Sequence, residues 1–299
     1  MSWTNALEKI KIIAIVGTDR SGSTLLDKII SSNDEIFSVG EANHFFHYYT
    51  KNLPCACGKP ILDCDFWRKI LGRLIGTPFK PEMMSVLRWR KRVMTLTEMI
   101  IMGRHHFIQK YKRYLQTYAL LMRAVQAETG AGLIVDSSKD MTRVYLLYLS
   151  GLFQVYPIYI TREVEDYAVS AKTKYQMQLD PDRKTGEKKA LLRWIFRNAE
   201  TSLLLRRGFP DYVQIGYKKL ATDPSNVMKL ISKKWDIPLV YERDRVRQAR
   251  YHFLGGNFMK FNEFEGIRLD VKDTSKVFRS IPLRVAAKAL NEYFIKEKF

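Results

Sequence analysis

The sequence predicts an α/β fold: a central, mostly parallel sheet flanked by helices, with a helical insertion. Three observations predict it. Short apolar runs alternate with helical patterns along the chain. The first run, Lys11–Val16, leads into a glycine- and hydroxyl-rich loop that opens a helix. And 46% of the 299 residues are hydrophobic, enough for a large core, with no run long enough to span a bilayer. Strands that alternate with helices pair in parallel, because each return crosses over through a helix.

The strand candidates are Ile12–Val16, Glu35–Val39, Leu133–Val135, Tyr156–Thr161 and Tyr212–Ile215, short and rich in β-branched or aromatic residues, as strands buried on both faces are. Helical patterns lie between them at Thr24–Ser31, Ala119–Thr129, Asp166–Gln176, Lys188–Arg207 and Asn226–Lys234. Pro282–Lys296 reads as a C-terminal helix with proline in its first turn. Leu179–Lys188 is polar and turn-rich and reads as a surface loop or a mobile lid. Pro81–Tyr118 is helical and basic, with Arg88-Trp-Arg-Lys-Arg92 and Lys110-Tyr-Lys-Arg113. It admits two readings: a solvated helical face, or a cap that gathers an anionic acceptor or docks on an anionic membrane surface. No linker interrupts the pattern, so residues 1–299 are expected to form one domain with a basic helical insertion at about 81–118.

The formal net charge is +19, from 50 Lys and Arg against 31 Asp and Glu. Such an excess favours anionic partners. Zinc-finger, RNP and zipper patterns are lacking, so no nucleic-acid partner is expected. The first nine residues lack the basic-then-apolar layout of a signal peptide, which points to the cytoplasm. The three cysteines, Cys55, Cys57 and Cys64, share one short segment. An odd count argues against a full disulfide framework. Their C-x-C-x6-C spacing fits no common zinc module well. Plain thiols are the preferred reading, with one disulfide, or zinc completed by His44 or His47, as the alternatives; no metal ligand is assigned.

The segment Gly17-Thr-Asp-Arg-Ser-Gly-Ser-Thr24 has the spacing of a phosphate-binding loop, G-x-x-x-x-G-K-[ST], with Ser23 in the lysine's place. A strand before it and a helix after it make the match credible. Backbone N–H groups of such a loop favour an anion. Here the cation has moved inside the loop to Arg20, whose fork can hold a phosphate in two bonds, and Ser21, Ser23 and Thr24 add hydroxyl donors. Asp136 ends a strand much as a magnesium-binding Asp would, but no acidic cluster accompanies it. A transferred group with less negative charge than a γ-phosphate needs less metal, and sulfuryl is such a group.

Arg20-Ser-Gly-Ser-Thr-Leu-Leu26 resembles the 5′-phosphosulfate loop of the sulfotransferases that use 3′-phosphoadenosine 5′-phosphosulfate (PAPS). Tyr159-Ile-Thr-Arg-Glu-Val-Glu-Asp-Tyr-Ala-Val-Ser170 resembles that family's 3′-phosphate motif, an arginine at a strand end and a serine eight residues later. Gly40-Glu-Ala is similar to a G-E segment after the first helix in the Golgi-type, tyrosylprotein and bacterial branches, and the cysteine segment to one common in bacterial members. Asp136-Ser-Ser-Lys-Asp140 resembles the segment whose lysine reaches the sulfate. Ile215-Gly-Tyr-Lys-Lys-Leu220 resembles a Y-E-D-L segment, with Lys218 and Lys219 replacing the acidic pair. His252–Lys260 resembles a late H-x-x-x-G-N-x-x-R pattern that ends here in lysine.

The resemblance implies a layout related to nucleotide kinases and in-line transfer of SO₃ from PAPS to an acceptor hydroxyl, leaving 3′,5′-diphosphoadenosine (PAP), without a required metal. It implies Arg20, Glu41 and Lys139 as catalytic residues: Arg20 for charge at the leaving group, Glu41 as general base, Lys139 on the sulfuryl. It implies Arg20, Ser21, Gly22, Ser23, Thr24 and Leu25 at the 5′ end of the donor and Arg162 and Ser170 at the 3′-phosphate, with Tyr217, Asn257 and Lys260 lining the nucleotide site. Partial burial is expected to raise the Glu41 carboxyl and strengthen it as a base; His44 is the rival base. A saccharide or glycolipid hydroxyl is the expected acceptor, with a tyrosylprotein or small metabolite as alternatives. A phosphate-loop kinase and a non-catalytic nucleotide-binding protein are the readings from other classes.

Overall fold

The structure, a computed structural model, describes residues 8–89, 101, 103–170, 187–256, 260–261, 264–267, 274, 277–278 and 280–299. Five strands, β1 (Ile10–Gly17), β2 (Ile36–Gly40), β3 (Leu133–Asp136), β4 (Phe153–Thr161) and β5 (Val213–Gly216), form one parallel sheet in the order β2-β3-β1-β4-β5. All five expected strands are present. The helices labelled below are α1 (Ser23–Ser31), α2 (Phe45–Lys51), α3 (Asp65–Leu74), α4 (Lys112–Thr129), α5 (Met141–Ser150), α6 (Glu187–Gly208), α7 (Tyr217–Thr222), α8 (Pro224–Trp235), α9 (Arg243–Gln248) and α10 (Ile281–Phe294).

Strand β1 shows why the sheet is buried on both sides. Successive side chains of a strand point to opposite faces. Ile10, Ile12, Ala14 and Val16 enter one core with α3, α4 and α5, while Ile13 and Ile15 enter another with α1 and α8. Each buried isoleucine contributes about 1.5–3 kcal/mol by leaving water. A third apolar cluster joins the helical residues 164–170 to α6 and α10 through Val164, Trp194 and Phe294.

Two expectations change in detail. Helix α4 begins at Lys112, earlier than the expected Ala119, because Tyr114, Leu115 and Tyr118 continue its buried stripe. The basic insertion is less separate than the sequence suggested. Met84, Leu87, Phe107 and Tyr111 are buried in the same core as Ile12 and Leu121, so its described part packs into the main layer. Arg90–Arg92, the end of the helix expected to reach Gln176, and the loop expected over Leu179–Lys188 lie outside the described residues, except that Glu187 and Lys188 already belong to α6.

The carboxyl ends of the strands, Gly17, Gly40, Asp136, Thr161 and Gly216, lie along one edge of the sheet. Chain order reverses there: β1 has β3 on one side and β4 on the other. In open α/β sheets this switch point is where ligands bind.

Candidate active site

The loop after β1 is built to leave N–H groups pointing outward. Gly22 caps α1 with a left-handed backbone and no side chain fills the cap. The first N–H groups of a helix then remain for an anion. A side chain at Gly22 is excluded, because a Cβ would lie 2.4 Å from the Tyr217 ring. Ser21 is buried and spends its hydroxyl on Thr18 O at 2.8 Å, so it braces the loop. Ser23 and Leu25 are also buried, whereas Thr24 is partly exposed at the start of α1.

Three of the expected 3′-phosphate and nucleotide residues meet this loop. Arg162, only 7% exposed, leaves the end of β4 and donates to Arg20 O at 3.1 Å. Its guanidinium lies 4.4 Å from the Tyr217 ring centroid, a cation–π contact. Ser170 sits nearly two turns into its helix, and its hydroxyl accepts from Arg20 Nε at 3.1 Å. The serine therefore faces Arg20 directly. Asp166 lies 3.6 Å from Arg162 Nε.

Across the sheet edge, the turns after β2 and β3 are joined. Asn43 N donates to Ser138 Oγ at 3.1 Å and Asn43 Nδ2 to Ser138 O at 3.4 Å. This places Glu41 in a hydrogen-bonded ion pair with Lys139, both nearly buried. The Ala42–His44 turn brings His44 Nε2 to 3.2 Å from the other Glu41 oxygen. Burial would raise the Glu41 carboxyl, but Lys139 and His44 together outweigh it and hold the group below the usual carboxylate range. The expected upward shift is thus overturned by pairing. For Lys139, burial pulls the ammonium down, while Glu41 and Asp19 lift it above its ordinary value.

Residues 252–256 run over this pair. Leu254 bridges to Gly40, donates to Val39 O at 3.1 Å and accepts from Glu41 N at 2.7 Å. Gly255 takes φ +67°, and a Cβ there would come within 2.6 Å of Glu41 Cβ. The Lys260 amine donates to Tyr48 Oη at 2.8 Å and Pro54 O at 3.2 Å, and burial lowers it to about 8. Asn257 lies outside the described residues.

Two groups to which the sequence assigned no role stand near the site. Asp27, on the inner face of α1, is 1% exposed, and its Oδ1 is buried without a hydrogen-bond partner. An acid in an otherwise apolar helix stripe was its available signal. His252 converges on Cys55, Cys57 and Cys64. Asp136, the magnesium-like acid of the sequence, is fully engaged: it pairs with Arg143 at 2.7 Å and accepts from Tyr118 Oη at 2.6 Å and Ser138 Oγ at 2.5 Å.

No family model and no curated protein matches the chain. Solved structures do. A sulfotransferase domain from the Synechococcus PCC 7002 olefin synthase is 18% identical, with TM-score 0.54 over all of both chains. A sulfotransferase domain from the curacin biosynthetic pathway is 17% identical, with TM-score 0.54, covering 98% of this chain and 99% of its own. A sulfotransferase from Mycobacterium avium is 13% identical, with TM-score 0.53, covering 98% of this chain and 79% of its own. The chain therefore has the α/β, phosphate-loop-like fold seen in these sulfotransferases. Among the described residues, no helix is long and apolar enough to cross a membrane.

Proposed function

We propose that the chain transfers a sulfuryl group from PAPS to an acceptor hydroxyl. One observation carries this reading: Arg162 from the end of β4 is bonded to the phosphate loop at Arg20, which reaches Ser170, while Tyr217 from the end of β5 packs on the same loop. Two guanidinium groups and a serine hydroxyl are thereby gathered beside the N-terminus of α1. A donor with a 5′-phosphosulfate and a separate 3′-phosphate requires two adjacent anion sites of this kind. The sulfotransferase fold supports the same assignment.

In this reading the loop N–H groups and Arg20 hold the 5′ end and stabilise charge on the departing phosphate oxygen. Arg162 and Ser170 hold the 3′-phosphate, and Tyr217 walls the nucleotide. Glu41 removes the acceptor proton. The resting Lys139–Glu41 pair sets the order of events. Bound donor draws the Lys139 ammonium toward the sulfuryl oxygens, and the charge that suppressed Glu41 is withdrawn. The carboxylate becomes a stronger base only when there is a group to transfer. His44, on the other oxygen, orients it.

The acceptor we assign is a sugar hydroxyl on a saccharide or glycolipid. A carboxylate base suits an alcohol, and the exposed Arg104, Lys110, Lys112 and Arg113 suit an acceptor that carries negative charge or sits at an anionic membrane surface. A kinase reading is disfavoured by Ser23 in the lysine position and by Asp136, whose carboxylate is already engaged by Arg143, Tyr118 and Ser138. The test is incubation with ³⁵S-labelled PAPS and a panel of glycans, glycolipids, tyrosyl peptides and small alcohols. Label is expected in the glycan or glycolipid fraction. Label confined to peptides or small alcohols would reassign the acceptor. Transfer of phosphate from Mg-ATP with none from PAPS would overturn the reaction class, and tight PAP binding without any transfer would leave a binding protein.

A further inference from the structure

Away from the phosphate loop, four metal-ligating atoms converge. The sulfurs of Cys55, Cys57 and Cys64 and Nδ1 of His252 all lie within 4.8 Å of one another. Cys64 Sγ is 3.3 Å from His252 Nδ1, and Cys55 Sγ is 3.9 Å from it. Cys55 to Cys64 is 3.5 Å and Cys57 to Cys64 is 3.6 Å. In a tetrahedral zinc site, bonds of about 2.3 Å to sulfur and about 2.05 Å to nitrogen give edges of about 3.8 Å between sulfurs and about 3.5 Å from sulfur to nitrogen. Four of the edges are close to those values. The fifth, Cys55 to Cys57, is 2.8 Å, and all three cysteines are free thiols.

We propose that Cys55, Cys57, Cys64 and His252 bind one zinc ion as a structural Cys₃His site. The local chain is shaped for it. Pro54 and Pro60 bridge a tight turn in which Cys55 N donates to Lys59 O at 3.0 Å and Gly58 N to Cys55 O at 3.0 Å. Cys57 N points at Cys55 Sγ at 3.4 Å, as backbone amides do in metal knuckles. Cys64 caps the N-terminus of α3, where helix N–H groups favour a thiolate. The fourth ligand is oriented from α3: the Phe66 ring stacks on the His252 ring, with centroids 5.0 Å apart, and Trp67 Nε1 donates to His252 O at 3.0 Å. Three thiolates and a neutral imidazole on Zn²⁺ carry a net charge of −1, and the buried Lys260 amine on Pro54 O stands beside it.

Donor chemistry selects the ion. Soft thiolates with an imidazole favour zinc over magnesium or calcium. As Zn²⁺ binds, the three thiols release their protons to solvent and no electrons move. One disulfide would use two cysteines and leave the third thiol and the histidine without purpose. The ion would staple the 54–64 turn to residues 252–256, the segment that carries Leu254 and Gly255 against Glu41. The metal is thus a positioning element for the base and takes no part in bond-making. The assignment stands whether or not sulfuryl is the transferred group, because its test does not read activity.

The test is elemental analysis of the full chain purified without chelator, with each ligand varied. About one zinc per chain is expected in the wild type, lost in Cys64→Ser and His252→Ala. Cys57→Ser, at an exposed position, keeps the fold measurable and is expected to lower zinc retention after dialysis by at least about tenfold. Cobalt substitution is expected to give the visible bands of a tetrahedral thiolate site, weakened in Cys57→Ser. Stripping the ion is expected to lower Tm by at least about 5 °C. A folded wild type that carries no zinc when grown in zinc-supplemented medium overturns the site, as does a cysteine disulfide in fresh unreduced protein. Zinc content unchanged in Cys57→Ser and His252→Ala would place the ion elsewhere and overturn it equally.

Discussion

Asp27→Asn should make the chain more stable above neutrality and leave it unchanged in mild acid. Asp27 is enclosed between α1 and the turn after β3, 1% exposed. Burial, the dominant influence, raises its carboxyl to about 7 from an ordinary 3.8, with Asp136 adding to the rise and the neighbouring Ser137 and Ser38 hydroxyls and Lys139 opposing it. The folded chain therefore holds this proton more tightly than the unfolded one. Below about pH 4 both states are protonated and nothing is lost. Between about pH 4 and pH 7 the unfolded chain ionises first, so stability falls as pH rises. Above about pH 7 the full difference applies: 7 − 3.8 is about 3 pH units, or about 4 kcal/mol at 1.36 kcal/mol per unit. Asparagine fills the same volume and carries no charge, but gives up the attraction to Lys139. A net gain of about 1–3 kcal/mol at about pH 8, shrinking toward zero at about pH 4.5, is expected. Urea unfolding followed by the fluorescence of buried Trp67 and Trp194 at several pH values measures it, and subtracting the two proteins isolates Asp27 from every other titrating group. An Asn variant that loses stability as pH rises relative to wild type would show that Asp27 is ionised and stabilising in the fold, refuting the burial argument.

Two further outcomes test the base. Glu41→Gln should lower kcat by about 10²–10⁴-fold while PAP affinity changes by less than about twofold, and His44→Gln should cost much less; a silent Glu41→Gln beside a dead His44→Gln would move the base to the histidine. Gly255→Ala should depress turnover, because its methyl group would displace Glu41 from 2.6 Å away, whereas Gly130→Ala, at a similar positive φ with open space around it, should cost stability alone. Equal turnover losses in the two variants, with folding intact, would refute the contact argument.

Much of the fold was legible because its strands are buried on both faces and therefore read as short apolar runs between helices. The phosphate loop was legible because its chemistry is local: a glycine cap and an arginine within a few residues of one strand. The pairing of that loop with Arg162 and Ser170 rested on a family resemblance, and the structure brings these residues to one place. What stayed hidden depends on contacts between distant segments. His252 joins cysteines 188 residues and more before it, and nothing in the C-x-C-x6-C spacing indicates it. The downward pull on Glu41 depends on Lys139 lying across the neighbouring strand end, which no local pattern reveals. Lys260 was placed by its motif at the nucleotide, yet Tyr48 and Pro54 claim its amine. Asp27 received no role from the sequence, because only the packed sheet shows that its face of α1 is buried.

We propose that the loop after β1 and the end of β4 form one site for a nucleotide phosphorylated at both 5′ and 3′ positions. Calorimetric titration of the chain with PAP, AMP and Mg-ATP, in wild type and Arg162→Ala, tests it most directly. PAP should bind at least about tenfold more tightly than AMP, since a charge-assisted phosphate contact contributes about 1.5–3 kcal/mol, and Arg162→Ala should erase that preference while leaving AMP nearly unchanged. Equal affinity of the wild type for PAP and AMP, or tight binding of Mg-ATP with none of PAP, would contradict it.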